Sequence, residues 1–160
     1  LYYHFKTKEE IMDAIIERTN HKIIGDAKLI ADDKSKTVFE RIISLIMALK
    51  IKDDDSEIIE HIHKPQNALM HQKVEKMIIE KVTPILAGII EEGIEEGLFN
   101  TPYPYESIEM VLVYANTVFD NGHSEVEMTN LHKRIEAFIH NVERLLGAQR
   151  GSFDFVKKSL

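Results

Sequence analysis

Leu1-Tyr2-Tyr3-His4-Phe5-Lys6-Thr7-Lys8-Glu9-Glu10-Ile11 opens the chain with hydrogen-bonding side chains, two cations next to them, and then a helix start. Thr7 and Glu10 have the spacing of a capping box. The threonine hydroxyl can accept from a first-turn amide, and the glutamate can reach back to the amide of the N-cap. Glu9 and Glu10 also lie at the positive end of the helix dipole. A helix is therefore expected from Lys8. Ahead of it, Tyr2, Tyr3 and His4 stand beside Lys6 and Lys8, a composition suited to contacting phosphates. Read from the residues alone, the same stretch is also compatible with an amphipathic terminus that tucks Leu1 and Phe5 into a core.

The string resembles a known family. In the tetracycline-repressor (TetR) family of transcription regulators, a Tyr-Tyr-His-Phe run closes the DNA-reading helix-turn-helix. A Lys-Ser/Thr-Lys-Glu-Glu-Leu/Ile run then opens the next helix. The resemblance implies that residues 1–7 are the end of a DNA-recognition helix, with Tyr2, Tyr3, His4 and Lys8 as DNA-contacting residues. It also implies that most of the DNA-binding unit is missing, residues 8–30 being a connecting helix and 31–147 a ligand-binding and dimerisation domain. Residues 148–160 remain as a tail. Glu96-Gly97-Leu98-Phe99 followed by a proline-bearing turn is a second, less specific point of likeness.

The bulk composition agrees with a helical domain. The chain has 160 residues, 44% of them hydrophobic, enough for one domain with a core. Only seven Gly and four Pro are present, as expected for a helical chain. No apolar run approaches the roughly 18 residues of a membrane span. There is no Cys, hence no disulfide and no thiolate metal site, which fits a cytoplasmic protein. The net charge of −7 disfavours strong binding of this chain to duplex DNA.

Periodicity divides the chain into six helical segments and no strand, so the expected fold class is all-α. The first runs from about Lys8 to Ile30. The second runs from about Lys36 to Ile51, with a broad apolar stripe formed by Phe39, Ile42, Ile43, Ile46 and Leu49. A short third segment ends at Pro65. The fourth, from about Asn67 to Glu96, contains Pro84, where a kink is expected, a true break being the alternative. Gly97 with Leu98 and Phe99 reads as a Schellman stop.

The last two long segments carry an assembly argument. Val111 to Ala115 are consecutive and apolar, and a helix that is apolar all round must be covered all round. The final segment, from Ser124 to Gly147, places Met128, Leu131, Ile135, Phe138, Val142 and Leu145 at alternating steps of three and four, as in a coiled-coil seam. The resemblance implies that these two helices form an intersubunit four-helix bundle. The interface residues expected are Val111, Tyr114, Met128, Leu131, Ile135, Phe138, Val142 and Leu145, in a homodimer. Packing of both helices into one monomeric core is the alternative.

Chemistry-bearing motifs are sparse. His61 and His63 are two apart and on a helix would point away from each other. Glu60-His61-Ile62-His63 contains one Glu-x-x-His unit, of which a di-iron bundle needs two. No phosphate loop or nucleophile elbow is present. No enzyme activity, metal or cofactor is therefore expected. The apolar stripe of Phe39, Ile43 and Met47 is expected to face Met70, Val74 and Met77 with Ile59 and Ile62. His63, Asn67 and His71 are the nearest polar groups. Such a cavity suits a small, mainly apolar effector. The resulting reading is a ligand-responsive transcription regulator, acting as a repressor, whose effector alters the spacing of reading heads on operator DNA. A helical-bundle metalloenzyme with a carboxylate/His site and a purely structural dimerisation module are the alternatives. Asn116 interrupts its apolar helix and either bonds across the subunit interface or faces a cavity.

Overall fold

A computed structural model describes residues 6–49, 68–119 and 125–158, except for the side chains of residues 71, 119 and 125–129. Among the described residues the chain forms α1 (Lys8–Asp32), α2 (Val38–Leu49), α3 (Ala68–Glu95), α4 (Pro104–Phe119), α5 (Glu125–Leu145) and a 3-10 helix, η1 (Asp154–Lys158), with no strand. The fold is all-α. None of these helices is long and apolar enough to cross a membrane.

Helix starts follow local chemistry. Thr7 is the N-cap of α1, and its hydroxyl accepts from the Glu10 amide at 3.1 Å. Glu10 reaches back one residue further than expected and accepts from the Lys6 amide at 2.5 Å. The second helix begins with the same device, which the sequence reading missed. Thr37 Oγ1 accepts from Glu40 N at 3.2 Å, and Glu40 Oε2 accepts from Thr37 N at 2.8 Å. The start therefore lies at Val38, two residues later than periodicity suggested. Pro84 lies inside one continuous helix, α3, rather than ending it.

Two helices stop by the same mechanism. Gly97 has φ +76°, its amide donates to Ile94 O, and Leu98 N donates to Gly93 O. Gly147 has φ +59°, with Gly147 N bonded to Arg144 O and Ala148 N to Glu143 O. Both are Schellman closures, in which glycine takes the left-handed conformation without a side-chain penalty.

α1 packs on α2 and α3, and α4 folds back along α3. The main core joins Val38, Ile42 and Leu45 of α2 to Val82, Leu86, Ile89 and Ile90 of α3, Ile108 of α4, Ile139 and Val142 of α5 and Leu146 just beyond it. The tail docks on this core through Phe153 and Val156. Buried Glu143 holds it there, because its Oε1 accepts from Gly151 N at 2.9 Å and Phe153 N at 3.2 Å. Phe39, Phe99, Phe153 and Phe155 form an aromatic group beneath it, with centroid separations of 5.5 to 6.1 Å around Phe39.

A buried arginine ties three helices together at one end. Arg41 is 2% exposed; its Nη1 donates to Ala31 O at 2.9 Å and its Nη2 to Glu92 Oε2 at 2.6 Å. Lys34 also binds Glu92. These hydrogen bonds, that of Arg41 above all, pull the Glu92 carboxyl from 4.5 down to about 2. A carboxyl depressed in the fold stabilises it above the unfolded value, and that contribution fades as pH falls from about 4.5 toward 2. Acid unfolding followed by circular dichroism is expected to lose part of its pH dependence in this window in Glu92→Gln. An unchanged acid profile contradicts the assigned role.

Candidate functional site

A second apolar cluster lies apart from the main core. Ile16 of α1 packs with Met70, Val74 and Met77 of α3, all 6% to 8% exposed, and Met12, Ile23 and Ile78 border it. Asp13 and Lys73 pair across the same two helices at 2.6 Å. With Lys34 bound to Glu92 further along, α1 and α3 run parallel and nearly in step. Ile23 and Ile78 pack against both clusters and so mark the border between them.

Of the expected effector residues, Met70, Val74 and Met77 are brought together. Their partner is α1, through Ile16 and Met12, which the sequence reading did not include. The signal was present: Ile16, Asn20, Ile23 and Ala27 follow steps of four, three and four along one face. Phe39 is placed elsewhere, edge-on to Phe99 and Phe153 in the main core. Ile43 is half-buried and Met47 is 49% exposed. Ile59, Ile62, His63 and Asn67 lie outside the described residues, as does the His71 side chain.

Asn20 Oδ1 on α1 and Asn116 Nδ2 on α4 are buried and have no hydrogen-bond partner among the described residues. Asn116 follows Ile108 and Leu112 at steps of four along the face of α4 that packs on the core. Its orphan donor is covered within the protomer itself.

The expected interface residues fall into two sets. Tyr114 is 43% exposed and stacks on Phe138 at 5.7 Å and 12°, so α4 and α5 share an aromatic contact. Met110 at 59% and Val113 at 43% continue the exposed face of α4. Val111, Leu131, Ile135, Phe138 and Leu145 are half-buried. Val142 is 7% exposed and packs in its own protomer's core, because the seam of α5 rotates toward Ile139 and Leu146 at that end. The Met128 side chain lies outside the described residues.

Of the residues expected to contact DNA, Lys8 is exposed at the start of α1. Tyr2, Tyr3 and His4 lie outside the described residues. Among the described residues, no three His, Asp or Glu side chains are grouped so as to hold a metal ion. Glu60 and His63 are not among them.

Comparison with protein families matches residues 50–141 to the model described as tetracyclin repressor-like, C-terminal domain. The matched segment spans α3 and α4 and most of the last helix. No curated protein matches the chain.

Proposed function

The chain belongs to the tetracyclin repressor-like family through its C-terminal domain, and from that premise we propose that it is a ligand-responsive transcription regulator, acting as a repressor, rather than an enzyme. The family match carries this reading. In it a small, mainly apolar effector binds beside Met70, Val74 and Met77, with Ile59, Ile62, His63, Asn67 and His71 as the further contacts expected from the sequence. α1 links this region to the segment bearing Tyr2, Tyr3, His4 and Lys8. A molecule that favours one tilt of α1 shifts the population of DNA-competent dimers. A coupling of about 1–3 kcal/mol suffices for such control. Lys8→Ala, in a protein with a complete reading head, is expected to weaken operator binding and reduce its salt dependence.

The dimer proposed is a homodimer through the outer faces of α4 and α5. The support is the exposure of Met110, Val113 and Tyr114 next to half-buried Leu131, Ile135 and Phe138. Leu131→Glu places a charge in that face without touching the buried core and is expected to yield a folded monomer by light scattering. Val142→Glu instead disrupts the protomer, since Val142 is already covered. A wild-type monomer at micromolar concentration excludes the interface.

The effector reading is tested by mass spectrometry of small molecules released on denaturation. Val74→Trp fills the second cluster and is expected to release none while remaining dimeric. Release of the same molecule from Val74→Trp contradicts the site.

A further inference from the structure

We propose that the methionine cluster between α1 and α3 is an oxidation-sensitive latch. Converting its thioethers to sulfoxides frees the first half of α1 while the rest of the domain stays folded. The latch needs no effector; only its consequence for DNA reading rests on the function proposed above.

Composition and burial select the target. The chain has no Cys and no Trp, so its six Met are the side chains that a peroxide oxidises most readily. Met47 and Met110 are 49% and 59% exposed and belong to neither apolar cluster. Met12, Met70 and Met77 meet in the second cluster. Met70 and Met77 are two of its four buried residues, and Met12 is half-buried at its border. Met12 is therefore the sulfur of this cluster that an oxidant in solution reaches first. Met70 and Met77 follow as the border loosens.

The step is a two-electron oxygen transfer from a peroxide. The sulfur lone pair forms an S–O bond as the O–O bond of hydrogen peroxide breaks. Sulfur is oxidised, the peroxide is reduced, and water leaves after a proton shift. An apolar thioether becomes a polar acceptor. The buried side chains of the cluster, Ile16, Met70, Val74 and Met77, carry no donor to meet it.

Architecture makes the effect local. The second half of α1 is held independently, because Ala27 lies in the main core and Ala31 O accepts from Arg41. Among the described residues, the apolar hold on the first half is this cluster. The Asp13–Lys73 pair beside it has side chains 57% and 34% exposed and adds little. A sulfoxide there parts α1 from α3 as far as Ile23, where the two clusters meet. In the regulator proposed above, this is the half of α1 that leads to Lys8. Methionine sulfoxide reductases restore the thioether and so the latch.

The test treats the dialysed protein with hydrogen peroxide, maps sulfoxides by peptide mass spectrometry and follows amide hydrogen exchange. Oxidation of Met12, Met70 and Met77 is expected to speed exchange in residues 16–23 by about tenfold or more. Residues 27–32 and 82–90 should stay as protected as before. Methionine sulfoxide reductases A and B should restore the protection. Met12→Leu/Met70→Leu/Met77→Leu conserves volume and removes the sulfurs, so peroxide should leave its α1 unchanged. Met47→Leu/Met110→Leu should respond as the wild type does. Reversal by the reductases in the wild type keeps the test decisive if the triple variant fails to fold by circular dichroism. Sulfoxides at all three sites with unchanged exchange in α1 overturn the latch. So does loss of protection throughout the domain, an equal response in the triple variant, or oxidation that spares Met12, Met70 and Met77. None of these outcomes bears on the regulator reading, since exchange is followed without DNA or effector.

Discussion

Gly147→Ala is expected to destabilise the domain by about 3 kcal/mol. Two effects combine. The residue sits at φ +59°, where a side chain costs about 1–2 kcal/mol. A Cβ built there also lies 2.2 Å from Asn100 O and 2.9 Å from Asn100 C. Those are backbone atoms and cannot rotate away, so the two segments must separate. Their separation strains or breaks the bond from Asn100 N to Leu146 O, 2.8 Å long, for about 1 kcal/mol more. Gly97→Ala is the matched comparison. It has φ +76° but nothing within 4 Å of the added methyl, so only the conformational cost applies. Urea denaturation at fixed protein concentration should rank Gly147→Ala well below Gly97→Ala. Equal losses would show that the close approach to Asn100 carries no weight.

Glu92→Leu is expected to cost about 2 to 3 kcal/mol, by stranding a charge rather than by removing packing. Arg41 is 2% exposed and keeps its guanidinium charge under all folding conditions. Without Glu92 its remaining described partner is Ala31 O, and Nε already lacks one. Breaking a buried pair from one side is worth more than the pair itself, because the other charge stays desolvated. The loss falls below the roughly 3–5 kcal/mol of a fully buried pair because Glu92 itself is 33% exposed and solvent screens it. The double variant Arg41→Leu/Glu92→Leu should recover part of the loss. A double variant no more stable than Glu92→Leu alone would place the cost in packing.

Helix starts and stops were legible in the sequence where one residue's chemistry decides them. Thr7 with Glu10 predicted the start of α1, and Gly97 predicted a Schellman stop, because caps are satisfied within a few residues of chain. The Thr37–Glu40 box was equally local but was passed over in favour of apolar periodicity. Pro84 was ambiguous because a proline is tolerated inside a helix when its neighbours hold the backbone in line, and α3 is covered by α1, α2 and α4.

The expected effector site was legible only in part. Met70, Val74 and Met77 share a face by spacing alone, so their grouping followed from the sequence. Their partner did not, because an apolar stripe specifies burial but not what buries it. Phe39 shows this: the stripe of α2 turns toward Phe99 and the docked tail, through contacts more than fifty residues apart in the chain.

The sequence by itself determined an all-α chain, the main helix limits and the family resemblance, since these rest on short-range periodicity, capping and an unbroken string of residues. Only the tertiary structure decided that the apolar interior divides in two, that Val142 faces its own core, and that Arg41 pins three helices through Glu92. Those outcomes depend on how helices rotate and stack on one another. Rotation is set by the fit of many side chains at once, a property no single stretch of chain contains.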